Sequence, residues 1–121
     1  MANINAAFIR QGSSPAIEVL LRGKAVQDDT VYVTLQQSDV SITKSNYGDD
    51  PSVVLEPVYS GNVQTDTKIT VFLSQTETLA LHPGHCKVQV GYVTEEDEAD
   101  VSDIARLEIG KSLYKGVMIY G

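Results

Sequence analysis

The chain has one cysteine, no tryptophan, two histidines and no excess of positive charge, and each shortage removes a class of function. A lone thiol, Cys86, cannot close an internal disulfide, so packing must hold the fold, as it does in a reducing compartment. Nine Lys and Arg against sixteen Asp and Glu give a net charge of −7, which repels phosphate backbones and argues against nucleic acid as a partner. Arg10, Arg22, Lys24, Lys44, Lys68, Lys87, Arg106, Lys111 and Lys115 are scattered singly, without the interleaved aromatics of a single-strand groove. No apolar run approaches the roughly 20 residues of a membrane helix, so no membrane partner is expected. Met1-Ala-Asn-Ile-Asn5 lacks a basic segment followed by an apolar one, which predicts folding in the cytoplasm without a secretory signal.

What remains is one domain's worth of chain, 121 residues with 42% apolar content, enough for a single compact core. Turn signals recur roughly every 8 to 15 residues, the spacing of a β-sandwich. Strands are expected at Ala6 to Arg10 and Ala16 to Arg22, separated by Gln11-Gly-Ser-Ser-Pro15, whose proline suits an edge, a strand start or a crossing between sheets. A polar loop, Gly23 to Thr30, follows. Val31, Val33 and Leu35 share one face of the next strand, and Ser38-Asp39 turns it into Val40 to Lys44. Asn46 to Pro51 reads as an exposed loop, Val53 to Leu55 as extended chain up to Pro57, and Ser60-Gly-Asn62 as a turn.

Ile69, Val71 and Leu73 alternate in a strand from Thr67 to Leu73, which ends at Ser74-Gln-Thr-Glu77. There the Ser74 hydroxyl and the Glu77 carboxylate are spaced to cap a helical turn reciprocally, and His82-Pro83-Gly84 closes it. Cys86, Val88, Val90 and Tyr92 then form one face of a strand, and Ala105, Leu107 and Ile109 another within Val101 to Ile109. About eight strands and one short helical turn result, an all-β sandwich.

Candidate chemistry is sparse. His82, His85 and Cys86 offer two imidazoles and a thiol, but a zinc site needs a fourth ligand or water on rigid positions, and a turn leading to a buried Cys86 is the plainer reading. Neighbours on a strand face opposite ways, so His85 cannot easily serve Cys86 as a base. Glu95-Glu-Asp-Glu-Ala-Asp100, with Asp103, could offer carboxylates to calcium, yet it lacks the glycine and alternating oxygens of a dedicated loop and suits a solvated hairpin tip. Gly110-Lys-Ser112 mimics the end of a phosphate loop but follows a strand, with Ala105 where a glycine is needed. No cofactor, metal or catalytic set is assigned, and no enzyme is expected. The tail Leu113-Tyr-Lys-Gly-Val-Met-Ile-Tyr120 stays apolar to its end, and such a segment docks on its own sheet or on another chain. Tyr114, Val117, Met118, Ile119 and Tyr120 are therefore the candidate interface residues.

The succession Pro15-Ala-Ile-Glu-Val-Leu-Leu21, Val31-Tyr-Val-Thr-Leu-Gln36, Ile69-Thr-Val-Phe-Leu-Ser-Gln-Thr-Glu-Thr-Leu79, a glycine, Val88-Gln-Val90, a polar hairpin and Val101-Ser-Asp-Ile-Ala105 resembles the immunoglobulin-like amino-terminal domain of baseplate upper proteins in tailed phages. The resemblance spans about residues 8 to 112 and rests on strand order and one capped turn. It implies an immunoglobulin-like β-sandwich over residues 1–121, with 112–121 as a docking tail. It also implies a non-enzymatic assembly part of a phage or prophage virion, tail or baseplate associated, with other virion proteins or further copies of itself as partners. Those proteins continue into further domains, whereas this sequence stops at Gly121. A carbohydrate-binding module is the alternative, although a glycan site should gather aromatics on one open sheet face.

Overall fold

The computed structural model describes residues 2–5, 8–26, 28–48 and 52–121. Its two sheets are built from ten strands and one short helix: β1 (Ala2–Asn5), β2 (Phe8–Arg10), β3 (Ala16–Arg22), β4 (Thr30–Gln37), β5 (Val40–Ser45), β6 (Val53–Ser60), β7 (Val63–Phe72), α1 (Gln75–Leu79), β8 (Gly84–Val93), β9 (Ala99–Val101) and β10 (Ala105–Gly110). The smaller sheet runs β1-β3-β7-β6 and the larger β2-β10-β8-β4-β5, with β9 also paired to β8. All pairings are antiparallel except β2 with β10, where Ile9 lies opposite Ile109 in parallel register.

The two-residue period decides which face each strand buries. Ile17, Val19 and Leu21 of β3 and Ile69 and Val71 of β7 point inward from one sheet; Val31, Val33, Leu35, Cys86, Val88, Val90, Leu107 and Ile109 meet them from the other. Each such side chain contributes about 1.5 to 3 kcal/mol on burial. Two buried threonines fasten loops to the sandwich: Thr67 Oγ1, in the middle of β7, accepts from the Val26 amide at 3.1 Å and donates to the Lys24 carbonyl at 2.8 Å, while Thr78 Oγ1 donates to the Ser13 carbonyl at 2.7 Å.

The all-β sandwich expected from the turn spacing is present, but with ten strands among the described residues where about eight were expected. One extra strand is β1, whose Ala-Asn-Ile-Asn composition carries no strand signal and which is held by its pairing with β3. Another arises because the expected strand from Val101 to Ile109 is broken. The partner of Val101 is Gly91 while that of Ala105 is Val88, so the register slips by one residue across Ser102 to Ile104. Ser102 bridges the break, its hydroxyl accepting from the Val90 amide at 3.0 Å in place of a ladder carbonyl. Pro57 does not end its strand as expected: β6 is the edge of its sheet, where a missing N–H costs no ladder bond. Gln11 to Pro15 does carry the chain from one sheet to the other. Ala6 and Ala7 of the first expected strand, Gln27 of the polar loop, and Asp49, Asp50 and Pro51 of the loop after Asn46 lie outside the described residues.

The connection from β7 to β8 passes through α1 and returns the chain to the larger sheet. Its cap is the expected one: Glu77 N donates to Ser74 Oγ at 3.1 Å and Ser74 N to Glu77 Oε1 at 2.8 Å. The same carboxylate receives Lys44 of β5 on both oxygens, at 2.8 and 2.7 Å. Burial pushes the Glu77 carboxyl up, but the Lys44 ammonium and the Ser74 donors outweigh it and hold the group below its ordinary value of 4.5. A carboxyl depressed in the folded state contributes stability above its unfolded pKa, lost as pH falls through the folded one. Glu77→Gln should therefore destabilise by about 1 to 2 kcal/mol at neutral pH. Denaturant unfolding should show that gap constant down to about pH 5 and narrowing below it; a gap independent of pH would mean that the charge of Glu77 is not what holds α1 in place.

Candidate interaction surface

The tail starts where β10 ends and is fastened to the sandwich by two glutamines. Gln11, itself buried, uses its backbone and side chain alike. Its amide donates to the Gly110 carbonyl at 2.9 Å, its carbonyl accepts from Ser112 Oγ at 2.7 Å, its Nε2 donates to the Leu81 carbonyl at 2.7 Å, and its Oε1 accepts from Lys115 Nζ at 3.1 Å. Farther along, the amide side chain of Gln75 in α1 grips the backbone of Met118 in the manner of a strand partner, donating to its carbonyl at 3.1 Å and accepting from its amide at 2.7 Å. Residues 111–121 form no strand. The tail is thus pinned at Ser112, Lys115 and Met118, while its apolar side chains face outward.

Tyr114, Val117, Met118, Ile119 and Tyr120 are all exposed, and so is Leu113. Ile119 keeps 88% of its surface in solvent and Tyr120 essentially all of it, values that no docked core residue would show. The Tyr114 ring lies over Gly116, where a Cβ would stand 3.0 Å from its hydroxyl. The arrangement offers a row of large apolar groups on an anchored backbone. The two anchors, Gln11 and Gln75, were not visible in the sequence, since a glutamine in a turn and another in a helix have no local signal for a bond to a distant tail.

The other candidate chemistry does not assemble. Cys86 is fully buried in β8 and burial pushes its thiol up, while His85 beside it is exposed on the opposite face. Among the described residues no three His, Cys, Asp or Glu side chains come close enough to hold a metal ion. Thr94 to Glu98 forms a tight hairpin tip, with Asp97 at a φ of 63° and the Thr94 amide donating to the Glu98 carbonyl at 2.9 Å. The tip lies near Asp29, whose carboxyl is raised first by burial and then by Asp28, Glu96 and Glu95. Ser112, in the phosphate-loop mimic, is occupied by Gln11. The exposed tyrosines are dispersed: Tyr32 on β4, Tyr47 in a loop, Tyr59 on β6 of the other sheet, and Tyr114 and Tyr120 in the tail. Among the described residues no helix is long and apolar enough to cross a membrane. The basic residues, scattered along the sequence, are not all scattered in space, for Lys87 and Arg106 are direct partners across β8 and β10.

No family model matches the chain, and no curated protein matches it. Gln11→Met keeps the shape of the buried side chain but leaves the Leu81 carbonyl and the Lys115 ammonium without their partner, which should cost about 1 to 3 kcal/mol. Denaturant unfolding checks this, and a loss below about 0.5 kcal/mol, the range of an ordinary surface change, would show that Gln11 is not the anchor.

Proposed function

We propose that this protein is a non-enzymatic, immunoglobulin-like assembly module of a phage or prophage virion, tail or baseplate associated, and that its tail is the surface by which it meets a neighbouring subunit. Strand order supports the fold in this reading. The sheets β1-β3-β7-β6 and β5-β4-β8-β10 follow the ABED and C′CFG arrangement of an immunoglobulin-type sandwich, with β2 as the segment that changes sheet. The tryptophan and the inter-sheet disulfide of antibody domains are both missing, and apolar packing takes their place.

The observation that carries the function is the anchored, outward-facing tail. A backbone held at Met118 while Ile119 and Tyr120 remain in water has ordered an apolar segment without burying it. Ordering costs conformational entropy that burial must offset, and a second chain supplies the missing burial. Pre-ordering by Gln11 and Gln75 would lower the entropy cost of that association. The dispersed tyrosines favour a protein partner over a glycan, which would need aromatics gathered on one face. Synthesis in the bacterial cytoplasm and residence in the virion belong to the same reading.

Deleting residues 113–121 removes Lys115 and Met118 but no residue of the buried core. Light scattering should find the full chain self-associated and the truncated chain monomeric, with the truncated chain still unfolding cooperatively. Two monomers, or a truncated chain that fails to fold, would overturn the tail as the interface.

A further inference from the structure

On the outward face of the larger sheet, Gln36, Lys87 and Arg106 stand in one row across β4, β8 and β10, Gln36 opposite Lys87 and Lys87 opposite Arg106. Like charges directly opposite one another on a sheet face repel and destabilise the pair. Lys44 and Lys68, by contrast, are paired with carboxylates: Lys44 meets Glu77, and Lys68 meets Glu18 and Glu56. Lys87 and Arg106 form no ion pair among the described residues, even though Glu108 lies two positions beyond Arg106 on β10, opposite His85. In a chain of net charge −7 this is an uncompensated positive spot placed by long-range register.

The row forms the floor of a cleft of about 470 Å³ whose lining also includes Gln37, Ser38 and His85. One wall is held rigidly. Gln37 Nε2 donates to the carbonyls of His82 and His85, at 2.7 and 3.2 Å, and Gln37 Oε1 accepts from the His82 amide at 2.6 Å, so this side chain fixes the turn that carries His85. The amide of Gln36, by contrast, has no hydrogen-bond partner among the described residues and is free to donate into the cleft. The volume falls within the roughly 300 to 1,000 Å³ of small-ligand sites and exceeds what a single inorganic ion would fill.

We propose that this cleft binds an oxyanion, a carboxylate or phosphate group carried on a larger molecule. The Arg106 guanidinium supplies a planar fork that matches two oxygens of such a group, and the Lys87 ammonium a second counter-charge. Gln36 and His85 add donors at the floor and the wall. Binding would relieve the repulsion between the two cations, which gives the anion a reason to settle there and not on isolated lysines such as Lys111. Two sources can present this chemistry: a free or foreign anion, or the carboxylates of Glu95 to Asp100 on a second copy. That loop follows the far end of β8, so a second copy would dock head to tail.

The test uses the full chain at low, constant ionic strength, titrated with sodium phosphate and with succinate while backbone and arginine side-chain resonances are followed by NMR. The cleft is expected to respond saturably, with shifts centred on His85, Lys87 and Arg106. R106Q and K87Q, both on the exposed face, should each weaken binding about tenfold, whereas K111Q, with the same charge change, should leave it within about twofold. Shifts that never saturate, or that K111Q reduces as much as R106Q does, would overturn the proposal. Sedimentation velocity separates the sources. Self-association that both phosphate and R106Q reduce assigns the carboxylates to a second copy; self-association that neither changes, with saturable phosphate binding, assigns the cleft to another anion. Because residues 113–121 are intact in both the parent and the R106Q chains, any association through the tail is common to them and the difference reports the cleft alone.

Discussion

Gln11 is the point on which the tail and the closure of the sandwich both depend. It sits at the crossing from the larger sheet to the smaller, where a buried chain must leave its ladder and would otherwise strand polar groups. Its four hydrogen bonds join the end of β10, the start of the tail, the loop after α1 and Lys115. A buried side-chain amide with every neighbour satisfied adds specificity that an apolar residue of the same size cannot, because each unmade bond at that site costs a desolvated group. The position of the tail is thus set from inside the domain.

The same logic governs the other crossings. Thr67 ties the loop at Lys24 to Val26 into β7, Thr78 ties α1 to the loop at Ser13, and Glu77 joins α1 to β5 through Lys44. The Lys44 and Glu77 side chains are only 16% and 24% exposed, so their pairing is screened less than a surface bridge would be. Among the described residues no buried side-chain nitrogen or oxygen lacks a partner. An apolar layer between the sheets, together with satisfied polar side chains at Gln11, Thr67, Thr78 and Glu77, joins the loops and α1 to the strands.

Much of this was legible from local pattern. Strand β3 lies at Ala16–Arg22 as its alternation and flanking turn signals required, and the capping box at Ser74 and Glu77 follows from a spacing of three residues. What could not be read depends on contacts far apart in the chain. Strand β1 exists because β3 offers it a ladder, and Pro57 is tolerated because β6 lies at an edge. The slip at Ser102 to Ile104 reflects which residue of β8 each segment meets. Lys87 and Arg106 are 19 positions apart in sequence and adjacent only through that register. The tail was legible as an apolar segment needing a partner, but its attachment links Lys115 to a residue 104 positions away.

Under the proposed reading, the domain contributes no reacting group; it presents surfaces. The tail supplies apolar area on a backbone already fixed in place, and the cleft of Gln36, Lys87 and Arg106 supplies charge on another face, so that burial and electrostatics act at separate sites. The claim that matters most is that the ordered tail is completed by another subunit. Hydrogen exchange of the Gly116, Val117, Ile119 and Tyr120 amides, followed as protein concentration is raised, tests it most directly. These amides should exchange freely in dilute solution and become protected as the protein associates. Free exchange at every concentration, or protection already complete in the monomer, would contradict it.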